Sequence, residues 1–470
     1  MTVLNVFYKI VSLAEKENSI YLKIQHMNNN LQTYWDWKLL LSILFYMIVP
    51  SLYTSYSFYL IGNMPPDTNN LAIVSQWQFV QIFFEIIQEA LVLPLFYYVG
   101  VVIGKDEIGL INRISSSLAI VFLVLIPLLF ILSYFMGSFT EWINTPVEIV
   151  TQTQSYLTIK VWTLLFSVSN IGLVIILEAL KRNLILIILT VVKLVLSIGF
   201  DSLFFGGYSF SLGMGINGLA ISNLLTELIT FFFILPLLVN ALGLNIKSLF
   251  RIPQKVDLSV FGKISIGIGI ESLIKNLAYF LLIIGLINSL GSKEISGYYL
   301  SMHLLWSYYL VPILAITEMT RVLLARSSEK RTQWKILKVN LLITGIFLLF
   351  WCATFPFVDY FFNFFSSDIE ALAFAELSFK WLFIPYILMS LNMLIDSLFY
   401  ATGKTQYLAY QSLITNSLVY LTAYILNYLD LWQATFPSVL ALFGMGIFVD
   451  SLFTIVFANK ILKEEYLVNT

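Results

Sequence analysis

The 470-residue chain has one cysteine, two histidines and only 11% charged residues, and each shortage closes off a class of function. The lone cysteine, Cys352, excludes an intramolecular disulfide and a cysteine-based zinc site. Set in an apolar run, it reads as a small core hydrophobe. His26 and His303 stand far apart and neither belongs to an HExxH pattern, so no metal centre and no cofactor is expected. A charged fraction of 11% is less than half of the roughly 25% found in soluble domains. What fills the space is apolar: 59% of residues are hydrophobic and the mean hydropathy is +0.87. These values specify an all-α polytopic membrane protein, with the lipid bilayer as its surroundings and no nucleic-acid partner. Residues 1–38 carry Lys9, Glu15, Lys16, Glu17 and Lys23 and lack a continuous apolar core. They are read as an amphipathic cytoplasmic segment rather than a cleavable signal peptide.

Apolar runs of about 20 residues predict membrane helices. They fall near 39–63, 76–104, 114–136, 155–180, 184–207 and 214–242, then near 259–288, 296–324, 335–357, 372–401, 405–429 and 433–462. This gives an N-terminal lobe over 39–242, a cytoplasmic linker over 243–258 and a C-terminal lobe over 259–463. Lysine and arginine concentrate in the even-numbered loops: Lys105 and Arg113, Lys181 and Arg182, Lys247, Arg251 and Lys255, then Arg326, Lys330 and Arg331. The odd-numbered loops hold a single basic residue, Lys293, beside acids such as Asp67, Glu141, Glu148 and Asp368. The positive-inside rule then places both termini in the cytoplasm of a plasma (inner) membrane. No outward loop exceeds about 20 residues, which leaves no room to assemble a catalytic domain there.

Six spans, a basic linker and six more spans imply a duplication. "SNIGLVIILEALKRN" (169–183) and "LNMLIDSLFYATGKT" (391–405) align without gaps at an offset of 222, with Asn170 matching Asn392. An even number of spans in each half makes the repeats parallel, with the solute path between them. Two motifs fail on context. "GMGING" (213–218) matches the dinucleotide fingerprint but opens a membrane helix, so its glycines are read as helix-packing positions. "GKT" (403–405) has Leu398 where a phosphate loop needs glycine. No nucleophile–base–acid set appears, and no enzymatic activity is expected.

Ionisable residues inside spans cost roughly 2.5–3.5 kcal/mol each on insertion scales and mark functional sites by default. Gln81, Glu85, Gln88 and Glu89 form one polar stripe on the second span, either a cation or proton site or a satisfied seam between helices. Glu271 and Lys275 lie one turn apart on the seventh span, either a releasable counter-ion pair or a self-neutralised one. Glu318 and Arg321 repeat the pattern on the eighth span, where Arg321 reaches the interface. Asp396 is read as an interface or gate residue, and Lys160, Lys193 and Lys380 as pairing or snorkelling lysines.

"SLYTSYSFYLIGN" (51–63), "FDSLFFGGYSFSLGMGINGLAIS" (200–222) and the span exits "EALKRN" and "YATGKT" resemble motifs of the MATE family of multidrug and toxin extrusion transporters, within the MOP flippase superfamily. The resemblance implies twelve helices in two six-helix lobes in a V shape, exporting organic cations in exchange for Na⁺ or H⁺. It also carries departures. The family's first-span aspartate falls at Ser57, its fifth-span Asn and Asp at Ser197 and Asp201, and its tenth-span acid near Met389. On this footing Glu85, Glu89, Asp201 and Glu271 are the expected cation or proton coupling residues. Ser57, Gln88, Lys275, Asn276, Glu318 and Arg321 are expected to line the substrate cleft. The expected activity is antiport of amphipathic or cationic small molecules by a monomer. The rivals are a flippase for a lipid-linked or anionic metabolite, with Lys275 and Arg321 as phosphate partners, and a non-transporting membrane scaffold.

Overall fold

Where water is absent every backbone amide must be satisfied within the chain, so long apolar stretches become helices. A computed structural model describes residues 34–62, 73–74, 76–103, 105–142, 145, 149–205, 209–242, 255–279, 285–288, 290, 292–327, 329–365 and 369–463, and among them there is no strand. The N-terminal segment and most of the expected linker lie outside the described residues.

The chain divides into two units, residues 37–262 and residues 263–470, the second also taking residues 33–36. In the first, α1 (Trp37–Gly62), α2 (Trp77–Val92) and α3 (Leu95–Gly100) precede α4 (Glu107–Tyr134) and α5 (Met136–Trp142). Then come α6 (Val150–Lys160), α7 (Thr163–Ala179), α8 (Asn183–Phe200), a π-helical turn over Asp201–Phe205 and α9 (Gly215–Leu242). The boundary between units falls within α10 (Lys255–Ala278). The second unit continues through α11 (Gly285–Asn288), α12 (Ser292–Leu304), a π turn over Leu305–Tyr309, α13 (Leu310–Arg326) and α14 (Lys330–Thr354). It closes with α15 (Val358–Phe365), α16 (Ile369–Thr402), α17 (Gln406–Thr415), a π turn over Asn416–Leu421, α18 (Thr422–Tyr428) and α19 (Phe436–Lys463).

Helical residues occupy each of the twelve predicted stretches. Among the described residues, nine helical segments are long and apolar enough to cross a membrane. The other three stretches meet α1, whose apolar part over Trp37–Tyr53 is short; α10, which carries Lys263, Glu271 and Lys275; and the α17–α18 pair, rich in Ser, Thr and Asn. Outward faces are apolar. On α14, Leu342, Ile346, Leu349 and Phe350 line one exposed stripe at i, i+4, i+7 and i+8, as a lipid-facing helix requires. Cys352 is exposed on the same helix, so it is not the core residue its setting predicts; an apolar neighbourhood in sequence does not distinguish a lipid face from a core.

The duplication is visible in packing and in backbone. Fourteen of the 17 residues of α7 are buried, and it packs against α2, α3, α4 and α9. Its repeat counterpart α16 packs against α12, α13 and α19. Both helices end in the same cap. Arg182 N–H donates to the Leu177 carbonyl at 2.9 Å and Lys404 N–H to the Phe399 carbonyl at 3.0 Å, pairs related by the offset of 222. This six-to-one bond needs a left-handed residue at the turn. Gly403 supplies it at φ 70°, and Lys181 adopts it at φ 56°.

The "GMGING" glycines divide into two roles. A Cβ on Gly218 would meet the Phe204 carbonyl oxygen at 2.4 Å, so that position packs closely as expected. Gly213 and Gly215 instead have φ of 59° and 58° in open space, supplying left-handed backbone to the turn that enters α9.

Candidate functional site

Each unit buries a group of charged side chains around the same pair. In the first unit, Lys193 on α8 places its Nζ 2.5 Å from Glu227 Oε1 on α9. Asn170 on α7 donates from Nδ2 to Glu227 Oε2 at 2.7 Å and to the Glu227 carbonyl at 2.9 Å. Asp201 opens the π turn after α8. Its two oxygens accept from Tyr53 Oη on α1 and Ser222 Oγ on α9. Lys160, at the end of α6, lies within electrostatic reach of Asp201 and Glu227, and its ammonium sits 5.4 Å from the centre of the Trp77 ring. Two acids face two lysines, so this group neutralises itself.

In the second unit Glu271 is 3% exposed; one carboxylate oxygen accepts from Lys275 a turn further along α10, and the other from Tyr400 Oη on α16 at 3.2 Å. The Arg321 guanidinium, from α13, stands 4.4 Å from the centre of the Tyr400 ring. Lys275 also faces Asp396 and Asp450 electrostatically. Asp450, on α19, accepts at Oδ2 from Asn392 Nδ2 and from Gln411 Nε2, each at 2.8 Å. Asn392 Nδ2 is 3.5 Å from Asp396 Oδ2, and Thr454 Oγ1 donates to Asp396 Oδ1 at 3.2 Å. One carboxylate, Glu271, therefore bonds the lysine, two more act on it electrostatically, and Arg321 stacks on the tyrosine that bonds Glu271.

The two groups are built on one plan. Asn170 bonds Glu227 in the first unit as Asn392 bonds Asp450 in the second, across 57 and 58 residues of chain. A buried asparagine within a helix is expensive unless its amide is satisfied, and a carboxylate on the last helix of the unit bonds its nitrogen in both halves.

Of the residues expected at the site, Glu271 and Lys275 on α10 and Arg321 on α13 come together around Tyr400 of α16, and Asp201 joins the first-unit group. Asn276 donates within its own helix, to the Ser272 carbonyl at 3.0 Å. Glu318 is half-buried on α13. Glu85 is exposed on α2, with Gln88 and Glu89 half-buried on the same helix. Ser57 falls within α1, its side chain outside the described ones. Lys193 and Lys380 pair with Glu227 and Glu376. Sequence reasoning did not find Glu227, Asp450, Gln411 or Tyr400. A signal was present: Glu227 and Asp450 are 223 residues apart, one off the repeat offset.

Residues 268–425 match the MatE family model. No curated protein sequence matches the chain. Solved structures do. An outward-facing multidrug-resistance MATE transporter of the MOP superfamily superposes with a TM-score of 0.80 at 16% identity, over 91% of this chain and 96% of that one. A MOP superfamily transporter from Pyrococcus furiosus gives 0.78 at 17% identity, over 93% and 98%. A Vibrio cholerae MATE transporter in its bent form gives 0.74 at 17%, over 93% and 97%. The chain therefore matches the MatE model over part of its second unit and has the fold of the MATE transporters over about nine-tenths of its length.

Proposed function

We propose that the chain exports amphipathic or cationic small molecules across the plasma membrane by alternating access, in exchange for inward-moving H⁺ or Na⁺. The observation that carries this reading is the charge balance of the second unit, where Glu271 bonds Lys275 and buried Asp396 and Asp450 add two further acids within its electrostatic reach. Ionisable groups at bilayer depth are costly and are kept where they are used. An excess of acid over base suits the uptake and release of a cation. Glu85, Glu89, Asp201 and Glu271 supply carboxylates on both units; Gln88, Lys275, Asn276, Glu318, Arg321 and Ser57 contribute polar groups to the solute path. The protein acts as a monomer with both termini in the cytoplasm.

One observation favours a second reading, movement of an anionic or lipid-linked solute. The Lys275 side chain is 47% exposed while that of Glu271 is 3% exposed, so the lysine is the more accessible member of the pair. The Pyrococcus furiosus transporter is described as having a binding pocket of reversed polarity that points to a different function. Sealed inside-out vesicles with an imposed pH or Na⁺ gradient separate the readings. Gradient-driven uptake of a cationic dye, slowed by Glu85→Gln with Glu89→Gln, supports export of cations. No dye movement under either gradient, together with movement of a short-chain anionic lipid analogue, rejects it.

A further inference from the structure

Helix α14 begins with Lys330, Arg331, Lys335 and Lys338. Lys330 serves the fold: its Nζ donates to the Ile461 carbonyl of α19 at 2.9 Å. The other three are exposed, together with Trp334, at i, i+3, i+4 and i+7, which is one face of the helix. Lys338 Nζ stands 5.0 Å from the centre of the Trp334 ring, and Lys335 Nζ 5.8 Å from that of Tyr34. Asn340 on α14 holds Tyr34 there, donating to its carbonyl at 3.2 Å. The acid beside the cluster, Glu329, accepts from Thr332 Oγ1, and among the described residues no carboxylate is bonded to Arg331, Lys335 or Lys338. Three like charges on one face repel one another, and they sit at the positive end of the helix dipole, so they do not serve the helix itself. Nor does entry into the membrane require them. At the repeat offset of 222 the same positions on α4 are Gly109, Asn112, Arg113 and Ser116. Ser116 is buried, and Arg113 turns inward, its Nη1 donating to the Tyr98 carbonyl at 2.6 Å.

The same face runs on into lipid. Leu342, Ile346 and Leu349 follow Lys338 at i+4, i+8 and i+11, all exposed. At Gly345, between them, a Cβ would meet nothing within 4 Å, which leaves room along the stripe. From Lys338 to Leu349 is about 16 Å of helix, against about 15 Å for half of a bilayer's hydrocarbon core. One continuous face therefore joins a cationic, aromatic end to an apolar run one leaflet long. We infer that this face of α14 binds one phospholipid with an anionic headgroup. Arg331, Lys335 and Lys338 hold the phosphate, and an acyl chain lies along Leu342, Gly345 and Leu349. The guanidinium offers paired N–H donors to phosphate oxygens, while the lysines act as point charges. Tyr34 and Trp334 sit at headgroup level, where amphipathic rings are at home, and their faces keep the two ammonium groups in place. All of these residues belong to the second unit, and the site does not depend on which solute the chain moves.

Native mass spectrometry of the purified full-length protein in detergent, titrated with phosphatidylglycerol or with phosphatidylcholine of the same chains, counts the lipids retained. The expected result is one phosphatidylglycerol per chain at concentrations where phosphatidylcholine is not retained. Lys335→Gln with Lys338→Gln weakens that binding at least about tenfold, and Trp334→Leu weakens it about threefold. Lys105→Gln with Lys181→Gln removes the same charge from the basic loops of the first unit and changes it by less than about twofold. The proposal is overturned if the two lipids bind alike, or if both double variants weaken binding equally, as a general surface attraction would require. It is overturned too if inorganic phosphate at the same concentration displaces the lipid, which would make the cluster a site for free phosphate.

Discussion

Lys193→Met removes one charge from the first-unit group while keeping most of the apolar stem. Glu227 is 8% exposed, and its Oε1 then loses the ammonium at 2.5 Å, while Oε2 keeps the Asn170 amide at 2.7 Å. Breaking a buried ion pair from one side typically costs about 3–5 kcal/mol, because the remaining charge stays desolvated. The Lys193 side chain is 26% exposed and Lys160 still acts on Glu227, so the expected cost sits at the low end, about 3 kcal/mol. At roughly 2–4 °C per kcal/mol for a body of about 150–250 residues, the melting temperature falls by about 6–12 °C. Adding Glu227→Gln removes the orphaned charge and keeps an oxygen for Asn170. The double variant therefore recovers most of the loss, with a coupling energy of about 2 kcal/mol. Thermal scans of purified protein at one heating rate measure all four corners of the cycle. A single variant within about 0.5 kcal/mol of the parent, or a double variant no better than the single, refutes the idea that these charges hold each other inside the unit.

Other consequences are simpler. Lys181 holds a left-handed φ of 56° where its repeat counterpart is Gly403, so Lys181→Gly raises stability by about 0.5–1 kcal/mol in the same scans. Gly267→Ala places a methyl 2.6 Å from Thr405 Oγ1 and 3.0 Å from the Thr405 carbonyl carbon, and loss of about 1–3 kcal/mol is expected as α10 and α17 are pushed apart. Asp450→Leu leaves Asn392 and Gln411 without their shared acceptor and destabilises more than Glu376→Leu, whose partner Lys380 is exposed. In a Cys352→Ala background, Lys404→Cys and Asp430→Cys react with a membrane-impermeant maleimide from opposite sides of the membrane, with Lys404→Cys on the cytoplasmic side.

Span positions were legible because apolar runs about 20 residues long have few other uses, and the charge alternation of the loops is independent of them. The duplication was legible from one fifteen-residue match, since the same Asn and the same span exit recur in it, and the backbone caps at Lys181 and Gly403 follow the same offset. The charge groups were only half legible. Glu271 and Lys275 share a helix face, so spacing alone pairs them. Lys193 meets Glu227, and Asp396 meets Asp450, across helices far apart in sequence, and no periodicity within one helix reports such a meeting. The second-span stripe was legible as one face, and Glu85 is exposed on it while Glu89 is half-buried. Cys352 was not legible: apolar surroundings mean core in a soluble protein and either core or lipid here.

The most direct test of the exchange at the centre of this account is to reconstitute the purified protein into liposomes and load them with a preset Na⁺ or H⁺ gradient. A cationic substrate is then added while the ion and the substrate are followed together. The account predicts that substrate accelerates dissipation of one ion gradient, that the gradient drives substrate uphill in the opposite direction, and that Asp450→Asn uncouples the two. Substrate moving at the same rate with and without either gradient, while both gradients decay as in empty liposomes, contradicts it.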